Sequence, residues 1–349
     1  MLVLQHGWNA TAYRTLDADL EHWVSCRGDA LVGFTRQAAT RVVAGAPVAS
    51  SERLADVAAE FEFDAARLGE RVCYVCAEER LLHAAPGRYA VVKIGAQPVW
   101  DAQKWAPVFD GSSRLRAQRN RALNKGLVVE RWGTREMVSH PGIAACRRDW
   151  LASKRLPPLA FLAYTDLAKA PLSALTDRRL YVATVGDRSA GKQVVAYLVA
   201  APIPGRGGWL VEQVVRSPDA VNGTVELLID TAVRSLAAAG AGLVTLGLAP
   251  LAGSGSPASE SSASTNSGRV EAGRVDALLG SLRAHGRGLY DFAGLEAFKR
   301  KFRPQRWEDV YLLSQEPRTS VRTLYAVGAA FCGGRPVRTL VGGLLRAMA

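Results

Sequence analysis

Glu212 and Gln213 stand in an apolar run that breaks at Ser217-Pro218-Asp219 and restarts through Asn222-Gly223-Thr224. A carboxylate there can accept a proton or orient an ammonium group, and the neighbouring carboxamide can donate or accept a hydrogen bond. The stretch VEQVVRSPDAVNGTVELL (211–228) reads as strand, loop and helix entry. Loop amides at a helix N-terminus point unpaired donors outward and carry partial positive charge, which suits them to a phosphate or an oxyanion. Gly223 is expected to permit close backbone approach, Asn222 to cap the helix and Arg216 to lie near phosphate. Against this stands the plainer reading in which Asn222-Gly223-Thr224 only starts a helix and Glu212 faces solvent or an ion-pair partner.

Other chemistries find little support. Cys73 and Cys76 form a CxxC inside an expected strand, where the side chains should face opposite sides, and no second pair accompanies them. His6, His22, His83, His140 and His285 show no metal-binding spacing, and neither a GxSxG elbow nor a P-loop is present. No metal and no cofactor are expected.

The elements that would hold the loop occur twice. APVASSERLADVAAEFEFDAARLGERVCYVCA (46–77) matches SPDAVNGTVELLIDTAVRSLAAAGAGLVTLGLA (217–249) with no gap from the loop to the helix end, setting Pro47 against Pro218, Leu54 against Val225, Val57 against Leu228 and Gly69 against Gly240, a constant offset of 171. Each copy reads as a strand (41–44; 209–215), a Pro-containing loop, an amphipathic helix ending at Gly, and a β-rich run (72–76; 243–248). Further strands are expected upstream, at 30–35 in the first half and at 180–185 and 193–201 in the second. Antiparallel strands ahead of a strand, loop, helix and strand give the element order of a GNAT-type acyltransferase fold. The expected class is therefore α/β (α+β), two tandem GNAT-like domains with mixed sheets flanked by helices. Residues 114–126 and 143–154 should be helices, 252–273 (rich in Gly, Ser and Ala) a flexible excursion, and a helical pattern resumes at Val275.

The chain has 349 residues, enough for one large or two ordinary cores, and 44 Lys and Arg against 32 Asp and Glu. The excess is clustered in RLRAQRNRALNK, in FKRKFRPQR and in the C-terminal tail, which points to a polyanionic partner, RNA or anionic lipid. No window approaches the roughly 18 apolar residues of a spanning helix, and MLVLQHGWNATAYRTLD does not read as a signal peptide. Five scattered cysteines suit a reducing cytoplasm. In GLYDFAGLEAFKRKFRPQRWEDVYLL (288–313), Tyr290, Phe292, Phe298, Phe302, Trp307 and Tyr311 interleave with Lys299, Lys301, Arg303 and Arg306. The mixture suits stacking on bases and neutralising phosphates, although most of the six aromatics are expected in the core.

LVEQVVRSPDAVNGTVELLID, VTLGLAPL and the 288–313 cassette resemble the catalytic domain of the bacterial aminoacyl-phosphatidylglycerol synthases, the multiple peptide resistance factor family. So do KIGAQPVW (93–100), RLRAQRNRALNKG and DWLASKRLPPLAF (149–161), so that the similarity covers roughly residues 10–315. The resemblance implies two GNAT-like domains that move an aminoacyl group, lysyl or alanyl, from aminoacyl-tRNA to the glycerol headgroup of phosphatidylglycerol. It implies membrane association, and the multi-span flippase domain of many members has no counterpart here, so a separate membrane flippase is an expected partner. Where many members carry an acid in the strand before the loop, this sequence has Gln213, preceded by Glu212. The catalytic candidates are Glu212, Gln213, Asn222 and Gly223. The substrate-binding candidates are Arg216, Glu226, Gly247, Tyr290, Lys299, Lys301, Arg303, Trp307 and Glu308, with Arg116 and Lys125 on the basic helix.

Exchange of one ester for another is nearly balanced, so it needs only positioning, a proton acceptor and oxyanion donors. The expected division is 1–130 and 131–315, the second domain carrying the transfer site, followed by a basic tail (316–349) that either lies in an anionic membrane surface or packs on the body. The expected location is the inner face of the cytoplasmic membrane. Two other readings stay open: the same fold acting on a peptidoglycan precursor or an amine, and an inactive lipid- or tRNA-binding module.

Overall fold

The structure, a computed structural model, describes residues 2–154, 161–162, 170, 175–186, 192–252 and 292–334. Its strands are β1 (Glu21–Val24), β2 (Leu31–Gln37), β3 (Thr40–Ala44), β4 (Arg71–Ala77), β5 (Ala90–Asp101), β6 (Val128–Trp132), β7 (Arg179–Val185), β8 (Gln193–Ile203), β9 (Gly208–Arg216), β10 (Leu243–Thr245), β11 (Ala249–Pro250) and β12 (Arg306–Ser314). Its α-helices are α1 (Leu2–His6), α2 (Leu54–Arg67), α3 (Glu79–Ala84), α4 (Trp105–Asp110), α5 (Ser113–Asn124), α6 (Thr134–Ser139), α7 (Pro141–Ala152), α8 (Thr224–Ala238), α9 (Phe292–Arg300) and α10 (Val321–Phe331).

The repeat is visible in the backbone. β3, α2 and β4 form in one copy what β9, α8 and β10 form in the other, each helix joining two parallel strands. In both copies an antiparallel strand, β2 or β8, precedes the unit. Gly69 and Gly240, aligned at the common offset, both take positive φ (70° and 88°) just past their helices, a conformation that costs glycine nothing. Each helix turns an apolar stripe to the sheet: Leu54, Val57, Ala58, Phe61 and Ala65 in α2, Leu228, Ala232, Val233 and Leu236 in α8.

The strands of the two copies join one mixed sheet of twelve, in the order β1-β2-β3-β4-β12-β5-β10-β9-β8-β7-β6, with β11 added beside β5. The copies exchange their last strands. β5, in the first half by sequence, pairs with β10, and β12, in the second half, pairs with β4. β5 and β12 then run antiparallel through the centre, from Arg306 opposite Val99 to Ser314 opposite Ala90. KIGAQPVW lies in β5 and RWEDVYLL in β12, so two of the most distinctive motifs are the exchanged strands. Helices cover both faces. α2 and α3 pack on β2–β4 opposite α10, while α4, α5 and α8 pack on β7–β10 opposite α6 and α7. The core beneath α8 also takes Trp100, Trp105, Phe109, Leu115 and Ala122 from the first 130 residues.

Three local expectations need correction. The run 243–248 stops being a strand at Thr245, because the chain turns at Gly247 with φ 69°. Cys73 and Cys76 do not face opposite sides: a bulge in β4 against β12, with Cys76 at φ 62°, returns both to one core cluster. Both are free, buried thiols pushed by that burial up to about 12, which leaves them unreactive. Of the cassette aromatics, only Phe302 is fully buried; Phe292, Phe298, Trp307 and Tyr311 are half-buried, and Tyr290 lies outside the described residues. In the tail, α10 seats Ala326 and Ala330 on the sheet beside Val42 and Ala44 and leaves Val321 and Tyr325 outward. Residues 253–291, with most of the expected excursion and the helical pattern at Val275, and 335–349 lie outside the described residues.

Candidate functional site: an opening between parallel strands

The two copies differ where it matters for binding. In the first, β3 is paired with β4 along the whole of β3, from Thr40 opposite Arg71 to Ala44 opposite Val75, and the Gly45 amide donates to the Val75 carbonyl at 2.7 Å. In the second, β10 pairs with β9 only at Gly208, Trp209 and Leu210. Beyond Thr245 the chain leaves β9, turns at Gly247, whose amide donates to Thr245 Oγ1 at 3.0 Å, and continues as β11 against β5. Residues 211–216 of β9 therefore have no strand partner on that side among the described residues. A parallel pair that diverges presents backbone groups to whatever enters.

The edge of this opening is bulged. Gln213 lies opposite Val199 while Val211 lies opposite Ala200, which leaves Glu212 as the extra residue of a β-bulge. Bulges re-aim side chains and are frequent beside active sites. The Glu212 carboxylate, 4% exposed, is held by Arg178 (Nε to Oε2 2.7 Å, Nη2 to Oε1 2.9 Å) and by Arg14 (Nη1 to Oε1 3.1 Å). The same arginines reach Asp17, Arg14 Nε at 3.0 Å and Arg178 Nη2 at 3.1 Å. Burial raises the Asp17 carboxyl above its ordinary value, with Arg14 and Arg178 pulling the other way. Tyr13 lies under the Arg178 guanidinium, 4.9 Å from ring centroid to Cζ, and donates to Asp177 at 2.8 Å. Arg14, Asp17 and Arg178 escaped the sequence reading; the Arg-x-x-Asp spacing of Arg14 and Asp17 is the one local signal that could have marked them.

Gln213 is different. Both ends of its carboxamide are buried without a hydrogen-bond partner among the described residues. Each such group costs about 1–3 kcal/mol, so a donor and an acceptor left open together beside an opening are suited to a ligand.

The loop into α8 departs from expectation. Asn222 is exposed and does not cap the helix; the N-cap is Gly223, at φ 95°. The close approach that Gly223 permits is made by the carbonyl of Gln118 on α5, where a Cβ would collide. α5 thus lies against the start of α8, and it exposes Arg114, Arg116, Arg121 and Lys125 on its outer side. Arg216 ends β9 near Lys154, which lies over the Trp150 ring at 4.7 Å; burial and then Arg216 lower the Lys154 pKa.

The remaining candidates divide. Lys299 is buried and donates to the carbonyls of Gly247 and Leu248, both at 2.8 Å, fixing the turn where the strands part. Burial lowers its pKa to about 7. Lys301 pairs with Glu226 of α8 at 2.6 Å and lies over Phe298, so these two close the helix start from outside. Arg303 is exposed, at φ 56°. Glu308 sits apart, gripped by Arg206 at 2.7 and 2.9 Å beside Glu78. Burial alone would raise the Glu308 carboxyl, and Arg206 overrides it and holds it low. Trp307 carries the Arg300 guanidinium and packs on Ala96 and Ala249.

A family model described as phosphatidylglycerol lysyltransferase, C-terminal, matches residues 1–314. The phosphatidylglycerol lysyltransferase of Bacillus subtilis (strain 168) is 26% identical over 335 residues, covering 93% of this chain but only 35% of the relative. The chain thus spans about a third of that protein. In structure, a C-terminal domain (DUF2156) from Agrobacterium fabrum, assigned to a lysylphosphatidylglycerol synthetase, superposes with a TM-score of 0.76 at 20% identity, covering 95% of each chain. L-PGS from Bacillus licheniformis gives 0.71 at 20% identity, covering 100% of this chain and 95% of the other. These likenesses establish the shared fold.

Proposed function

The chain belongs to the family of phosphatidylglycerol lysyltransferase C-terminal regions, and from that premise we propose that it transfers an aminoacyl group, lysyl or alanyl, from aminoacyl-tRNA to the glycerol headgroup of phosphatidylglycerol. The opening between β9 and β10 beside Gln213 carries this reading. The first copy, closed along β3 and β4, offers no such entry.

In the proposed reaction the lipid hydroxyl attacks the aminoacyl carbonyl carbon and loses its proton. The tetrahedral intermediate then collapses, and the terminal ribose oxygen of the tRNA leaves and takes up a proton. Held between two guanidinium groups, Glu212 suits the fixed anchoring of an ammonium better than proton acceptance, because its oxygens already receive three N–H donations from those groups. The Gln213 carboxamide faces the ester as donor. Lys299, neutral for part of the time near pH 7, keeps N–H donation to Gly247 and Leu248 and has a lone pair left over for a proton. Arg216 and Lys154 supply positive charge at the open end, and the outer face of α5 takes the tRNA backbone.

The proposed acceptor places the chain peripherally at the inner face of the cytoplasmic membrane. Among the described residues no helix is long and apolar enough to cross a membrane. Purified protein incubated with radiolabelled lysyl- or alanyl-tRNA and phosphatidylglycerol vesicles should move label into the lipid fraction. Label remaining on tRNA with each of the two donors, or transfer from acyl-CoA alone, would remove the proposal.

A further inference from the structure

Several arginines that pack into the body of this chain reach carboxylates, among them Arg14, Arg41, Arg119, Arg178, Arg206 and Arg234. Arg131 and Arg179 have no such partner among the described residues, and they line one cleft of about 380 Å³. The cleft lies where β8 ends and β7 and β9 begin, between Trp209 on one side and Leu4 and Pro204 on the other.

Arg131 on β6 stands opposite Tyr181 on β7, and Arg179 is two residues from Tyr181, so both guanidinium-bearing side chains leave the same face of the sheet. Arg179 is stacked on Trp209, its Cζ 4.4 Å from the ring centroid, which fixes the plane of the fork. Its Nη1 is buried and has no acceptor among the described residues. Arg131 is exposed at the rim. The two other charged groups in the lining are engaged, Arg178 by Glu212 and Asp17, Asp177 by the Tyr13 hydroxyl. The cleft therefore holds two guanidinium groups without an ion-pair partner among the described residues, one on a rigid floor and one on a movable rim, against the single carboxylate of Asp177, so that its charge is positive on balance, next to apolar surface from Leu4, Pro202 and Pro204.

We propose that this cleft binds the phosphate group of a phosphate ester, with Arg179 Nη1 as the fixed donor, Arg131 closing from the rim and the apolar wall against the organic part of the ligand. A buried N–H without an acceptor is accounted for when the ligand brings one. Arginine forks suit phosphate oxygens, and the volume is larger than a bare ion fills. The cleft adjoins the transfer opening through Arg178, which lines the cleft and also holds Glu212, while Trp209 lies four residues from Gln213, roughly 13 Å along extended β9. It stands whether or not the chain transfers aminoacyl groups.

The test is calorimetric titration of the full chain with sn-glycerol 3-phosphate, with inorganic phosphate, and with vesicles of phosphatidylglycerol in phosphatidylcholine, using glycerol as the uncharged control. Saturable binding of glycerol 3-phosphate, weakened about tenfold or more by Arg179→Gln and by Arg131→Gln, is expected. If inorganic phosphate binds equally well with the same losses, free phosphate is the source; if vesicles bind far more tightly with the same losses, a lipid headgroup is. Arg131 lies on the surface, so its substitution leaves the core intact and keeps the test valid if Arg179→Gln fails to fold. Absence of saturable binding by all three phosphates, or binding that survives Arg131→Gln and Arg179→Gln in proteins that melt like the unaltered chain, overturns the site.

Discussion

Replacing Lys299 by Met should change how the stability of the fold responds to pH. The ammonium is buried, its acceptors are two neutral carbonyls, and its pKa falls from 10.5 to about 7 in the folded chain. Between those two values the unfolded chain holds a proton that the folded chain has given up. Stability therefore rises with pH in this window, and the penalty of burying the charge is fully present below about pH 7. A shift of about 3.5 units corresponds to about 5 kcal/mol of penalty at low pH. From pH 7 to 9.5 the native protein should gain about 3 kcal/mol relative to Lys299→Met, in which this linkage is absent. Urea unfolding of both proteins at half-unit steps over that range gives the difference directly, with all other titrating groups cancelling. Parallel stability profiles would show that Lys299 keeps an ordinary pKa, and the proton-accepting role assigned to it would go with that result.

Glu212→Gln removes one carboxylate from between Arg14 and Arg178 and should destabilise the fold by about 3 kcal/mol while abolishing transfer, which denaturation and the vesicle assay measure separately. Retained transfer at a temperature where the variant is folded would exclude Glu212 from the site. Gly223→Ala places a Cβ against the Gln118 carbonyl at a positive φ and should cost about 1–3 kcal/mol, read as a lowered urea midpoint; an unchanged midpoint would show that α5 can draw back. Reversing Arg114 and Arg121 to Glu should weaken tRNA binding and flatten the slope of log affinity against log salt by about 1.5, measured by filter binding; an unchanged slope would move the RNA contact away from α5.

Local periodicity made much of this fold legible. The apolar stripes of α2 and α8, the glycines that end them and the strands around them are short-range signals, and they recur at one offset. Pairing between distant strands leaves no such trace. Nothing in KIGAQPVW says that β5 will lie beside β10, or in RWEDVYLL that β12 will lie beside β4, because each strand is buried on both faces over part of its length and neither alternates cleanly. The site was legible in part for the same reason. Glu212 and Gln213 stood out by their place before the loop, but the bulge that separates them depends on the register against β8. The groups that engage Glu212 come from 198 residues away in the case of Arg14, a distance over which sequence spacing carries no information. Asn222 and Gly223 looked like a ligand loop because a glycine that admits a helix carbonyl and one that admits a phosphate have the same sequence signature.

The exchange of last strands also bears on how the chain is made. During synthesis the edge of β4 emerges early, yet its partner β12 leaves the ribosome roughly 240 residues later. At about 5–20 residues per second, that edge waits on the order of tens of seconds with its amides and carbonyls open. An unpaired apolar edge is a template for pairing with other chains. The first half is thus completed by the final strand of the second, and the interval between them is the period in which nascent chains are most exposed to aggregation and most in need of a chaperone.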